Sequence, residues 1–226
     1  MAEQDAVFIE PQAKVEAAVI LMHGLGADGH DFEALVPELS LPALPPVRWI
    51  FPNAPVRPVT INRGYAMRAW YDVVAIDRAV PEDEAGIRDS AQFIGTFIQA
   101  EYERGIPASR ILLAGFSQGG AMALFTALRW PERLAGLVGL SCYLPLAEKL
   151  AAEAHPANSN LPVFIAHGTL DPIVPFFLGE TARDILRAQG HEVVWRDYRM
   201  QHEVCQQEVA DLREWLLRVF LRRATG

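Results

Sequence analysis

The chain has 226 residues, of which 51% are hydrophobic and 21% are charged, a composition that excludes disordered, collagen-like and coiled-coil chains. Its 28 acidic and 20 basic residues give a formal net charge of −8, which disfavours binding to nucleic-acid phosphates and to anionic lipid. The length favours a single domain over residues 1–226.

Cysteine content and terminal sequence predict where the protein is found. Two cysteines, Cys142 and Cys205, indicate free thiols in a reducing compartment and not a disulfide framework. The N-terminus is acidic and has no long apolar segment of the kind found in secretory signals. The longest apolar-looking stretch, residues 134–147, is broken by glycine, serine and proline and is too short to cross a bilayer. We therefore expect a cytoplasmic protein with no stable membrane insertion.

Apolar runs of strand length recur along the chain. A short run near the N-terminus predicts an edge strand, and the later continuous runs are typical of strands buried on both faces of a parallel sheet. A more polar run near the C-terminus predicts one further strand. The predicted strands are residues 7–9, 17–22, 47–51, 111–114, 137–140, 163–166 and 192–198.

Helical periodicity lies between these runs. After Asp83 the apolar residues Ile87, Ala91, Ile94 and Ile98 recur every three or four positions, which indicates an amphipathic helix. The predicted helices are residues 83–105, 119–130, 176–189 and 205–219. Strands that alternate with helices predict an α/β fold with a mostly parallel central sheet and helices on both faces. Residues 52–73 and 144–161 have no clear period and are interpreted as functional loops.

A strong local motif follows the strand predicted at residues 111–114. The sequence Gly115-Phe-Ser-Gln-Gly119 fits G-x-S-x-G between a buried strand and a helix. A sharp turn in this position exposes the serine hydroxyl beside a base, and the flanking glycines remove steric clashes. This context identifies Ser117 as a candidate nucleophile. The alternative interpretation is an ordinary glycine-rich turn in which the serine caps the helix.

The order of residues along the chain predicts an acid and a histidine as partners for this serine. Serine hydrolases of this architecture place an acid and then a histidine after the serine, each following a strand. Asp171 follows the strand predicted at 163–166, and His202 lies between the strand ending near residue 198 and the last helix. Asp197 stays an alternative acid, whereas His191 lies at the wrong end of its strand. The alternatives for Asp171 and His202 are a turn residue and a surface or capping residue.

The loop after the strand at residues 17–22 has the sequence His23-Gly-Leu-Gly26. Such a loop supplies a backbone donor to the oxyanion hole of this kind of hydrolase. We expect the N–H groups of Leu25 and Gln118 to stabilise the tetrahedral intermediate, although an ordinary glycine turn is the alternative interpretation. No metal-ligand spacing or phosphate-binding glycine loop accompanies His23, so neither a metal nor a cofactor is expected.

The order of these motifs resembles a known family. The matching segments are residues 23–28, 67–72, 115–120, 140–144, 167–175 and 202–204. They run in the same order as in the small carboxylesterase and acyl-protein thioesterase (lysophospholipase-like) family, over nearly the whole chain. The resemblance implies an α/β-hydrolase fold without a large lid, a triad of Ser117, Asp171 and His202, and cofactor-free hydrolysis of esters or thioesters. Gln201 departs from the glycine often found before the histidine in this family.

These observations predict a serine carboxylesterase that hydrolyses short-to-medium acyl esters through an acyl-enzyme, with thioesters left open as a further substrate class. Acyl-protein thioesterase or lysophospholipase activity is the alternative main role. Cleavage of amide or carbon–carbon bonds, and a non-catalytic binding module, also stay open. The expected partner is a small-molecule ester or an acylated protein or lipid, and a homodimer is left open.

Candidate residues for the acyl chain come from the loops around the site. We expect Leu25, Trp70, Leu144 and Ile173 to contact the substrate, with ordinary packing as the alternative for each. Cys142 is a less favoured nucleophile, because it has no strand-to-helix turn and no adjacent activating group, and is better interpreted as a small buried apolar residue.

Overall fold

A computed structural model describes residues 5–40, 42–75 and 81–221. The single domain predicted over residues 1–226, and the acidic N-terminus interpreted above, extend outside these residues. The structure contains nine strands within the described ranges. They are β1 (Ala6–Ile9), β2 (Ala17–Met22), β3 (Val47–Pro52), β4 (Val56–Val59), β5 (Tyr65–Arg68), β6 (Ile111–Phe116), β7 (Gly136–Leu140), β8 (Pro162–Gly168) and β9 (Glu192–Tyr198).

Seven strands form one sheet in the order β1-β3-β2-β6-β7-β8-β9. Strand β1 runs antiparallel to β3, and every other neighbouring pair in this sheet is parallel. Met22 of β2 pairs with Gly115 of β6, and Phe116 of β6 pairs with Leu140 of β7. The carboxyl ends of these central strands therefore lie side by side at one edge, where ligands bind in open α/β sheets.

Six helices accompany the sheet in the described ranges. They are α1 (Val36–Leu39), α2 (Glu84–Glu103), α3 (Gln118–Arg129), α4 (Leu150–Glu153), α5 (Phe176–Ala188) and α6 (Gln206–Leu221). None of the helices in these ranges is long and apolar enough to span a membrane.

Helices cover both faces of the sheet. Ala18, Ile20 and Met22 of β2 pack into an apolar cluster with α2, α3 and α5. The alternate residues Ala17, Val19 and Leu21 pack into a second cluster with α1 and α6. A strand buried on both faces needs apolar side chains at every position, which explains the continuous run at residues 17–22. The predicted α/β architecture is confirmed.

The two segments interpreted as irregular contain some regular structure. Strands β4 and β5 form a separate antiparallel hairpin, whose turn contains Arg63 at φ 58° and Gly64 at φ 77°. Most hairpin side chains are exposed or half-buried, so no alternation of apolar and polar residues marked it in the sequence. The segment 144–161 holds the four-residue helix α4 and short 3-10 turns. No separate lid domain is present among the residues that the structure describes.

Candidate active site

Ser117 lies on the sharp turn between β6 and α3. Its backbone adopts φ 55° and ψ −122°, a conformation that L-residues rarely take and that is stable only when the surrounding structure imposes it. The Ser117 N–H donates to the carbonyl oxygen of Leu140 at 2.8 Å, which ties the turn to the end of the neighbouring strand. The hydroxyl is therefore held at the carboxyl edge of the sheet.

The glycines of the motif allow the close approaches that this turn requires. A Cβ atom at Gly115 would lie 2.2 Å from the backbone of Gly119. A Cβ atom at Gly119 would lie 2.2 Å from the carbonyl oxygen of Met22. The N-terminus of α3 therefore packs directly against the end of β2, beside the loop that begins at His23.

His202 reaches Ser117 from the segment between β9 and α6. Its Nε2 atom is 2.9 Å from Ser117 Oγ, and its Nδ1 atom is 2.7 Å from Asp171 Oδ2. The ring also packs on Phe116, with 4.7 Å between ring centroids. Because a carboxylate only accepts, Nδ1 carries the proton and donates to Asp171, which leaves Nε2 to accept the Ser117 hydroxyl proton.

Asp171 is held on both carboxylate oxygens. Its Oδ1 atom accepts the backbone N–H groups of Ile173 at 2.8 Å and Val174 at 2.9 Å, and Oδ2 faces His202. His167 on β8 closes the same turn by donating from Nε2 to the Val174 carbonyl at 2.9 Å. Burial lowers the pKa of the His167 imidazole, so the ring is a neutral support. These contacts fix the carboxylate in place for His202.

The competing candidates lie elsewhere. Asp197 is exposed on β9, whereas the Nδ1 atom of His202 lies against Asp171. Cys142 is a free cysteine that is fully buried, and burial raises the pKa of its thiol well above the usual range. A thiol in this state is neither ionised nor accessible to a substrate. Ser117 is 9% exposed and, unlike Cys142, has an imidazole nitrogen at hydrogen-bond distance.

The loop at His23 lies beside Ser117. His23 is buried, its Nδ1 atom donates to the Gly24 carbonyl at 2.7 Å, and its Nε2 atom accepts the Ala54 N–H at 3.1 Å. Burial lowers the pKa of this imidazole, which keeps the ring neutral. The Gly26 N–H is already bound to the Arg68 carbonyl at 2.8 Å. The assignment of Leu25 as an oxyanion donor with Gln118 stays a prediction.

The Gln118 side chain has a bridging role that sequence reasoning missed. Its Oε1 atom accepts the Trp70 N–H, and its Nε2 atom donates to the Tyr71 carbonyl, both at 2.8 Å. Trp70 in turn donates from its indole nitrogen to the His23 carbonyl at 2.9 Å. The segment after the β4–β5 hairpin is therefore joined to the start of α3 and to the loop at His23. No periodic signal in the sequence marks a glutamine that bonds to two distant backbone groups.

The four residues expected to contact the acyl chain are placed differently from one another. Trp70 has no exposed surface and Leu144 is 2% exposed, so both support the loops from inside. Substrate contact by these two residues stays a prediction. Leu25 is half-buried in the loop at His23. Ile173 is 49% exposed beside Asp171, and these two residues stay candidates for substrate contact.

Comparison with protein families places residues 3–219 in the phospholipase/carboxylesterase family of α/β-hydrolases. Acyl-protein thioesterase 1 of Neurospora crassa is 40% identical, with 96% of this chain and 92% of the relative covered. Acyl-protein thioesterase 1 of Cryptococcus neoformans is 36% identical, with 92% and 94% covered.

Solved structures agree with this placement. Acyl-protein thioesterase 2 of Zea mays superposes with a TM-score of 0.84 at 29% identity, over 95% of this chain and 98% of that chain. SOBER1 of Arabidopsis thaliana gives a TM-score of 0.85 at 28% identity, over 90% and 98%. The expected α/β-hydrolase fold and the resemblance seen in the motifs are confirmed. The chain belongs to the phospholipase/carboxylesterase family.

Proposed function

We propose that this protein hydrolyses carboxylic esters and thioesters by way of a covalent acyl-enzyme on Ser117. The observation that carries the proposal is the continuous hydrogen-bonded chain from Ser117 to His202 at 2.9 Å and from His202 to Asp171 at 2.7 Å. A serine hydroxyl is a weak nucleophile until a positioned base removes its proton. This geometry provides the base and the group that orients it.

The reaction follows from the roles of these groups. His202 takes the Ser117 proton as the hydroxyl oxygen attacks the acyl carbonyl carbon, and Asp171 stabilises the imidazolium that forms. The backbone N–H groups of Leu25 and Gln118 receive the negative charge of the tetrahedral oxygen, each contributing about 3 to 4 kcal/mol to the transition state. His202 then protonates the leaving alcohol or thiol. Water, deprotonated by the same ring, releases the acid from Ser117.

The acyl donor is proposed from the relatives. Those in Neurospora crassa and Cryptococcus neoformans are named acyl-protein thioesterases, which supports a thioester on an acylated protein as a substrate class. Short-to-medium carboxylic esters and lysophospholipids are the other members of the panel to be tested. Half-exposed Ile173 and half-buried Leu25 offer apolar surface to an acyl chain beside the serine. A cytoplasmic location stays a prediction, and the homodimer stays open.

The test is Ser117→Ala, assayed against p-nitrophenyl esters of increasing chain length, an S-acylated peptide and a lysophospholipid, together with labelling by a fluorophosphonate. We expect loss of hydrolysis and of labelling in a folded protein, because removal of the nucleophile leaves only binding and the oxyanion donors. Ser159→Ala removes an exposed hydroxyl and serves as the matched control. Labelling that persists in Ser117→Ala would place the nucleophile elsewhere, and an unlabelled wild-type protein would favour the non-catalytic binding module.

A further inference from the structure

Glu208 is a buried carboxyl that the proposed mechanism does not use. It lies in the first turn of α6 and has no exposed surface, and the polar group that faces its carboxyl is the backbone of Cys205. A carboxylate that is buried with a single backbone partner is costly, whereas the neutral acid is far easier to accommodate. The presence of a buried carboxyl at this position therefore needs an explanation.

The position of Glu208 on its helix explains the burial. Residues at helical spacing from it, Leu212, Trp215 and Val219, are also buried and form the stripe of α6 that faces the sheet. Phe164 of β8 packs on the Trp215 ring with 5.7 Å between centroids. Glu208 therefore lies at the N-terminal end of this apolar stripe. That end of α6 is near the edge of the sheet where the strands end and the candidate site residues lie.

The surroundings of Glu208 favour the neutral form. Burial raises the pKa of Glu208 to about 8, and the backbone of Cys205 opposes this only in part. On β9 the nearby titratable group is Tyr198, whose hydroxyl donates to Asp211 at 2.8 Å, and burial raises the pKa of this phenol too. The buried residues that pack with the α6 stripe include Leu112 of β6, Leu140 of β7 and Phe164 of β8, and Glu38 of α1 is exposed to solvent.

The carboxyl lies directly after the segment that carries His202. Residues 199–205 connect β9 to α6 and have no helix or strand of their own. Their backbone is held at the N-terminal end by the Met200 carbonyl, which accepts the Leu170 N–H at 3.1 Å, and at the C-terminal end by the Cys205 carbonyl, which accepts the Val209 N–H at 3.1 Å. The position of His202 thus depends on how the first turn of α6 is seated.

We propose that Glu208 is a positioning residue: its neutral carboxyl seats the first turn of α6 against the sheet, and its ionisation moves the segment that carries His202 away from Ser117. This rests on the proposed function, in which His202 is the base. A charged carboxyl is driven towards water, so the helix end that carries it shifts outward. Activity is therefore lost at alkaline pH through a group that touches neither substrate nor His202.

The experiment is the pH profile of kcat/KM, and of the rate of fluorophosphonate labelling, from pH 6 to pH 10. The wild-type protein is expected to lose activity above pH 8, approaching tenfold per pH unit. Glu208→Gln keeps the shape of the neutral acid without the titration, and is expected to hold its plateau to at least pH 9.5 with an unchanged KM. Glu208→Met provides a second non-ionising variant should the glutamine variant fail to fold.

Two control variants separate the carboxyl from its neighbours. Asp211→Asn removes the next carboxylate along α6, and Cys205→Ser removes the nearby thiol; both are expected to keep the wild-type alkaline loss. The proposal is overturned when the alkaline loss persists in Glu208→Gln, when Cys205→Ser abolishes it, or when the wild-type profile is flat to pH 9.5. Failure of the proposed function is a different outcome, because it would appear at pH 7 as hydrolysis that persists when His202 is replaced.

Discussion

In the hydrogen-bonded series Ser117–His202–Asp171, the two outer residues are fixed by backbone contacts. Ser117 is tied to the Leu140 carbonyl, and Asp171 accepts two N–H groups of its own turn. His202 lies between them on a segment without helix or strand, and its side chain is 16% exposed. The proposed acid and nucleophile are thus preorganised, which lowers the reorganisation needed as charge develops. His202 is the least constrained of the three residues, so its position depends on its hydrogen bonds to Ser117 and Asp171.

At the residue scale, Asp171→Asn tests the assignment of the acid. The amide keeps the shape of the carboxylate but removes the charge that stabilises the imidazolium, so kcat is expected to fall about 10³- to 10⁴-fold with little change in KM. Steady-state kinetics on a p-nitrophenyl ester measure both constants. Asp197→Asn is the matched control on exposed β9 and is expected to stay within twofold of wild type. A large loss in that control, with Asp171→Asn active, would reverse the assignment.

Three separate elements meet through one side chain at the start of α3. The Gln118 side chain binds the N–H of Trp70 and the carbonyl of Tyr71. The Trp70 indole donates to the carbonyl of His23. The segment after the β4–β5 hairpin, helix α3 and the loop after β2 are therefore held in one arrangement. Gln118 also carries one of the two backbone donors proposed for the oxyanion, so we expect loss of its side-chain bonds to disturb the site as well as the fold.

At the element scale, Gln118→Ala tests this bridge. The change leaves the Trp70 N–H and the Tyr71 carbonyl buried without partners, and each such group costs about 1 to 3 kcal/mol. We expect the free energy of unfolding to fall by about 2 to 5 kcal/mol in urea titrations, with a lower kcat. Gln207→Ala removes an exposed glutamine from the first turn of α6 and should change the stability by less than about 0.5 kcal/mol. Equal effects of the two substitutions would refute the bridge.

The sequence predicted elements whose environment is uniform along their length. The runs at residues 17–22 and 111–114 lie in parallel strands buried on both faces, so their composition carries the signal. The hairpin β4–β5 escaped notice because its faces are mostly exposed and impose no pattern. The burial of Trp70 and of Glu208 was equally invisible, because it depends on elements distant in the chain. The order of the motifs predicted the candidate site residues, whereas the side chains that pack around them depend on tertiary contacts that the sequence does not show.

Across the whole molecule, burial lowers the pKa values of histidines and raises that of a glutamate. Burial lowers the pKa values of His23, His167 and His191, which are neutral in the folded protein. Burial raises the pKa of Glu208 to about 8. In the unfolded chain the histidines take up protons below their ordinary pKa of 6.5, and the glutamate loses its proton above 4.5. The histidines therefore destabilise the fold at acidic pH and Glu208 does so as the pH rises.

At the molecular scale we predict a maximum of stability close to pH 6.5. Below it the three histidines together remove up to about 4 kcal/mol per pH unit, offset by about 1.4 from Glu208. Above it the histidine contribution fades, and Glu208 removes up to about 1.4 kcal/mol per unit until pH 8. Urea unfolding at pH 5.5, 6.5 and 8.0, at constant ionic strength, measures this curve. Relative to wild type, the free energy of unfolding of Glu208→Gln should rise by about 1.5 to 2 kcal/mol between pH 6.5 and pH 8.0, and the acidic decline should be kept. A variant that retained the alkaline decline would show that another group binds the proton.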